Sequence, residues 1–148
     1  MNETEITRYI SDTFSGIEVQ VASREDGSPE IAWGDTFFFY APGREIPAER
    51  KFPFATIVTK DYGAFDCASN LNRPGVFRLN VGVSKQTFAA LFGVAKPEDY
   101  DFTSLDKLMP HPVYGKMYWV CVLNPSATTF EAVRPLLAEA YERAAGKR

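Results

Sequence analysis

The chain has 148 residues, the usual length of one domain, with 45% hydrophobic and 14% aromatic residues and a net charge of −3. A chain of that length buries roughly 70% of the surface its unfolded form exposes, so it can build a core without a metal or a disulfide, and its aromatic content excludes a disordered chain. The densest basic runs are the pairs Arg50–Lys51 and Lys147–Arg148, which argues against the phosphate-binding stripe of a nucleic-acid binder.

In chain order, Asn2 is placed to cap a first helix, with Glu5 three residues on completing a capping-box pattern. Ile6, Tyr9, Ile10 and Phe14 follow at helical spacing, and Ser15-Gly16 ends the run. Ile17, Val19 and Val21 alternate with Glu18 and Gln20, a half-buried strand. A turn over Glu25–Pro29 leads into a short strand at Ile31-Ala32-Trp33, and the tight Gly34-Asp35 turn leads into another at Thr36–Tyr40, with Phe37 and Phe39 expected in the core. Ala41–Phe52 reads as a surface loop and Phe54–Thr59 as the next strand. Lys60–Gly75 is long and irregular, and such loops inside a compact domain are often functional. Phe77, Leu79, Val81 and Val83 then alternate with Val76, Arg78, Asn80 and Gly82. Ser84 caps a short helix carrying Phe88, Leu91 and Phe92, stopped at Gly93. After a polar connection and the segment Met109–Gly115, the last strand, Met117–Leu123, is apolar on both faces and is expected centrally in the sheet. The final helix carries Phe130, Val133, Leu137, Ala140, Tyr141 and Ala144 at helical spacing, with Pro135 marking its first turn or kinking it.

This order implies one α+β domain over residues 1–148: an antiparallel sheet of five to six strands flanked by N-terminal and C-terminal helices. If Phe77 and Leu79 face the helices, Arg78 and Asn80 line an open face. Cys121, inside an apolar run, reads as a free buried thiol. No charged apolar leader and no apolar stretch near ~20 residues is present, so a cytoplasmic protein without a membrane span is expected.

His111 is the only histidine, and Met109 and His111 each precede a proline, which pushes both toward extended backbone. The stiff segment presents His111 and Tyr114 in a way that suits a positioned acid, base or ligand contact. The plainer reading, a rigid turn with His111 hydrogen-bonded or exposed, is preferred. Ser69 or Cys67, with Asp66 or Asp35, could complete a nucleophilic site, but no nucleophile elbow or catalytic-cysteine context surrounds them. One His and two distant Cys lack the paired spacing of a zinc site, and no glycine-rich loop cradles a phosphate, so neither metal nor cofactor is expected. Arg73, Arg78 and Lys60 could clamp a carboxylate or phosphate, although isolated basic residues are more commonly solvated. Trp33 is a candidate rim contact. The candidate ligand-binding set is His111, Tyr114, Trp33, Arg78, Asn80, Lys60 and Trp119.

Taken together, Trp33–Tyr40, Phe52–Lys60, Arg73–Gly82, Pro110–Gly115 and Trp119–Pro125 resemble a bacterial family of uncharacterised domains, a resemblance that covers nearly the whole chain and implies no catalytic residues. The ending, with Trp119 on the last strand, a break, then a helix with Leu136-Leu137 and Tyr141, is more distantly similar to the MmcQ/YjbR-like group. That similarity implies an antiparallel sheet with flanking helices, an architecture discussed for DNA binding, which the acidic balance here does not favour. The functional expectation is a non-catalytic domain, monomer or homodimer, that binds a small molecule or protein. The alternatives are nucleic-acid binding and a small hydrolase or isomerase using His111.

Overall fold

The computed structural model describes residues 1–42, 52–94 and 96–146; most of the loop expected over Ala41–Phe52, and both basic pairs, lie outside them. Helix α1 spans Glu3–Thr13, and its capping box is complete: the Asn2 side chain accepts from the Glu5 amide while the Glu5 carboxylate accepts from the Asn2 amide. Strand β1 is Ile17–Val21, β2 Thr36–Tyr40, β3 Ala55–Val58, β4 Arg78–Gly82, β5 Met109–Pro110 and β6 Trp119–Leu123. Helix α2 is Lys85–Phe92 and α3 is Ala127–Ala144, each with a serine N-cap, Ser84 and Ser126.

The strands form one antiparallel sheet in the order β1-β2-β3-β4-β6-β5. Two expectations are corrected. Ile31-Ala32-Trp33 is not a strand: after Pro29 the chain closes local turns, Ala32 N–H to Pro29 O and Trp33 N–H to Glu30 O, and makes one 3-10 turn. The last strand starts at Trp119 rather than Met117, because Gly115–Met117 is a 3-10 turn and Tyr118, at φ 68°, reverses the chain in the left-handed region. β6 is second from the edge. The edge itself is β5, where Pro110 has no N–H to waste.

Period-2 alternation divides the sheet into two faces. Ile57, Leu79, Val81, Val120 and Val122 join Ile6 and Ile10 of α1 and Phe130, Val133 and Leu137 of α3 in the main core. α1 and α3 are also fastened to each other: Tyr9 meets Phe130 edge-on, Phe14 stacks on Tyr141, and the Tyr141 hydroxyl donates to Ser15 O at 2.8 Å. Pro135 lies inside α3, whose apolar stripe continues through Leu136, Leu137, Ala140 and Tyr141. On the other face, Val58, Cys121 and Leu123 form a smaller core with Leu71 and with Met109 of β5, and this core stops short of the β2 end. Among the described residues, the rest of that face is left open.

Tyr141→Phe keeps the ring stack but orphans the Ser15 carbonyl. Chemical denaturation is expected to show a loss of about 1 kcal/mol with an unchanged m-value.

Candidate functional site

With Leu79 in the helix-side core, Arg78 and Asn80 project from the opposite face, where Val58 and Thr56 of β3 and Leu123 and Cys121 of β6 are their cross-strand partners. Arg78 is 1% exposed. A guanidinium so far from water is tolerated only when its charge is matched and its N–H groups are bonded. Asp66 supplies the charge in a bidentate pair, Nη1 to Oδ1 at 3.1 Å and Nη2 to Oδ2 at 2.6 Å. Nη1 also donates to Ser69 Oγ at 2.9 Å, and Nε to Asn80 Oδ1 at 2.9 Å. Asn80 in turn donates from Nδ2 to Thr56 Oγ1 at 2.9 Å. Asp66 and Ser69 both belong to the irregular segment 59–76, so Arg78 pins that segment to the sheet.

His111 approaches from the other side. It follows β5, donates its amide to Trp119 O at 2.9 Å, and brings Nε2 to 3.2 Å from Arg78 Nη2. The turn after it folds back on the ring, so that the amides of Val113 and Tyr114 donate to Nδ1 at 3.0 and 2.9 Å. Nδ1 is thus an acceptor, and the single proton of the neutral ring sits on Nε2. The imidazole pKa is pushed down to about 3, chiefly by burial and then by the Arg78 charge, with Asp66 opposing. A group so shifted is neutral at pH 7 and poorly matched to acid–base work there.

A second buried carboxylate, Asp35, lies at the start of β2 and is 0% exposed. It accepts from the Thr59 amide and hydroxyl, from Lys60 Nζ at 3.2 Å and from the Tyr62 hydroxyl at 2.5 Å. Burial, then this hydrogen bond, raises the Tyr62 phenol above its ordinary pKa. Lys60 Nζ also donates to Trp33 O, and Trp33 Nε1 to Ser28 O. Arg73 donates to the carbonyls of Asn70, Ser69 and Thr103. Lys60, Arg73 and Arg78 all spend their donors on groups of the protein itself, and only Arg78 is removed from water.

Above the Arg78 floor lies a cleft of about 470 Å³. Its floor and walls are Thr56, Asp66, Arg78, Asn80, His111, Phe37, Tyr62 and Trp119. Its rim is apolar and exposed: Phe52 at 77%, Phe65 at 65% and Met117 at 60%, with Tyr114 beside them. Gly82 makes room for the Trp119 wall, since a Cβ there would sit 3.1 Å from the indole Cε2. A second cleft of about 460 Å³ lies across the His111 turn, between Phe88, Tyr100, Phe102, Lys116 and Tyr118, and His111 borders both.

Of the seven candidates, His111, Tyr114, Arg78, Asn80 and Trp119 meet in the first cleft, whereas Trp33 and Lys60 belong to the Asp35 network. Phe37, expected in the core, is half-buried and lines the cleft, because it opposes Thr56 on the face away from the helices. Tyr62, Thr56 and the exposed Phe52, Phe65 and Met117 carried no motif. Two phenylalanines flanking polar, glycine- and proline-rich stretches were the available hint. The nucleophile candidates do not assemble. Ser69 is 0% exposed and accepts from Arg78, Asp66 is paired with Arg78, and Cys67 is exposed with its thiol toward the Ala64 carbonyl. Cys121 is buried and burial pushes its thiol up to about 12. Among the described residues, no group of three or more His, Cys, Asp or Glu is placed to hold a metal ion, and no helix is long and apolar enough to cross a membrane.

Two outcomes follow from the buried pair and its histidine. Asp66→Asn strands the Arg78 charge and is expected to cost about 3–5 kcal/mol in equilibrium unfolding. For His111, the unfolded chain binds a proton below its ordinary pKa of 6.5 that the folded chain refuses until about 3. Stability therefore rises with pH through that window and is complete above it. Between about pH 5 and 6.5, above the ordinary carboxylate range, unfolding free energy is expected to climb in the native protein and to stay nearly flat in His111→Asn.

No curated protein and no solved structure gives a significant match to this chain. One sequence family does, over residues 1–148, and the chain accordingly belongs to DUF6194, a family of unknown function.

Proposed function

We propose that this protein is a non-catalytic binding domain whose first cleft takes a small, uncharged, largely apolar molecule. The observation that carries the reading is the pairing of an exposed apolar rim, Phe52, Phe65 and Met117, with a floor whose charges cancel. Soluble proteins rarely leave three large apolar side chains around one concavity without a use, and a volume near 470 Å³ is within the range of small-molecule sites. The Arg78–Asp66 pair is neutral as a unit and His111 is neutral at pH 7, so nothing in the floor calls for a charged ligand.

The same features weigh against the other readings. Acid–base chemistry on His111 lacks a titrating group near neutrality, and Ser69 is buried beneath Arg78. Nucleic-acid binding, the role discussed for the MmcQ/YjbR-like architecture, would need basic groups that Lys60, Arg73 and Arg78 do not offer. The antiparallel sheet and flanking helices still agree with that group's architecture. Two unpaired thiols suit a reducing compartment, the cytoplasm.

The test is a titration with the uncharged fluorescent dye N-phenyl-1-naphthylamine. A saturable one-to-one rise in emission is expected. Met117→Glu, which places a charge on the rim, should weaken it by about tenfold or more, while Val94→Glu, at a position 87% exposed and outside the cleft, should leave it unchanged. No saturable binding, or equal effects of the two variants, would contradict the reading.

A further inference from the structure

A guanidinium carries five N–H groups. Four of those on Arg78 have acceptors: Nε at Asn80 Oδ1, Nη1 at Asp66 Oδ1 and Ser69 Oγ, and Nη2 at Asp66 Oδ2. The fifth, on Nη2, faces His111 Nε2 at 3.2 Å. That nitrogen cannot accept it. The Val113 and Tyr114 amides occupy Nδ1, so the ring proton is on Nε2, and flipping the ring would turn those two amides onto a carbon. Two donors confront each other, on residues 1% and 4% exposed, with no lone pair between them. Both line the first cleft.

Other groups repeat the pattern. Asn80 is 4% exposed, and its amide orientation is set by the Arg78 Nε–H it accepts. Of its two Nδ2 hydrogens, one goes to Thr56 and the second has no partner among the described residues. Trp119 Nε1–H, in the half-buried wall, makes no hydrogen bond among the described residues either, but it is open to solvent. Buried donors without acceptors cost about 1–3 kcal/mol each, and a site lined with them rewards a ligand that brings a lone pair.

We propose that His111 Nε2 and Arg78 Nη2 form a two-donor seat for the acceptor oxygen of an uncharged carbonyl compound, a ketone or amide whose apolar body fills the cleft. The inference rests on the reading of the cleft as a small-molecule site and adds the group that the site selects. A carbonyl oxygen has two lone pairs and can take both N–H groups at once. A hydrocarbon of the same shape leaves both stranded. An alcohol can also accept, but spends part of its capacity as a donor in a site already rich in donors.

The experiment displaces bound N-phenyl-1-naphthylamine with acetophenone and with ethylbenzene, which match in shape and differ in the oxygen. Acetophenone is expected to compete roughly five- to thirtyfold more strongly, the worth of one or two net hydrogen bonds. His111→Asn, whose Oδ1 can still receive the two turn amides while the Nε2 donor is gone, should erase most of the preference for acetophenone over ethylbenzene. Because the chain has a single histidine, its ring ¹⁵N resonances report the tautomer without ambiguity. They should show protonation at Nε2 and a shift of that signal on adding acetophenone. Equal competition by the two compounds overturns the two-donor seat while the cleft reading stands. A ring protonated at Nδ1 overturns it even if the dye does not bind, whereas failure of the dye alone counts against the cleft reading.

Discussion

Arg78 sits on a strand that is third from one edge of the sheet and sends a full positive charge into a face that water barely reaches. Removing that charge from water is worth many kcal/mol of penalty, and the fold offsets it only by drawing acceptors from elsewhere in the chain. Asp66 and Ser69 are carried in by the irregular segment 59–76 and Asn80 stands two residues along the same strand, while His111, a donor at Nε2, closes the site from the turn after β5. Three stretches of the chain thereby meet at one point. Leu71, from segment 59–76, and Met109, on the edge strand β5, complete the apolar half of this face, so the small second core forms where the Arg78 network ends.

The cleft is a consequence of how that network is distributed. Segment 59–76 is fastened twice, to Arg78 through Asp66 and to the start of β2 through the Asp35–Tyr62 and Asp35–Lys60 contacts. Between the two fastenings the open face holds Phe37, Thr56 and Asn80 in one cross-strand row over which the described residues pack no layer. Polar floor and apolar rim are therefore products of one arrangement. Its acid–base character is equally determined: pairing cancels the Arg78 charge, and burial with two amides at Nδ1 keeps the imidazole neutral.

Much of the architecture could be read from the chain because it is written in local chemistry. Asn2 with Glu5, Ser84 before α2 and the alternation through Leu79 and Val81 each describe a few neighbouring residues, and the structure uses them as read. The stretch Ile31-Ala32-Trp33 misled because three apolar residues shortly after a proline satisfy a turn as readily as a strand. Phe37 and Phe38 alternate, and alternation alone does not say which of the two meets the helices. The site was legible in part. Arg78 and Asn80 were in phase on one face, and the two prolines around His111 announced a stiff segment, but the partners that define their chemistry were not local. Asp66 is 12 residues from Arg78 and His111 is 33, and no spacing rule connects them. The same applies to Lys60 and Trp33, whose role as structural partners of Asp35 depends on contacts about 25 residues long.

The central claim is that one buried guanidinium pins segment 59–76, and with it one wall of the cleft, to the sheet. Arg78→Lys keeps the charge but cannot make the bidentate pair or reach as many acceptors. Hydrogen–deuterium exchange on that variant is the most direct measurement. The amides of residues 59–76 should exchange much faster than in the native protein, while those of α1 and α3 keep their protection, because the helix-side core lies on the other face of the sheet. Native protection in that segment, or a loss spread evenly over sheet and helices, would contradict the claim.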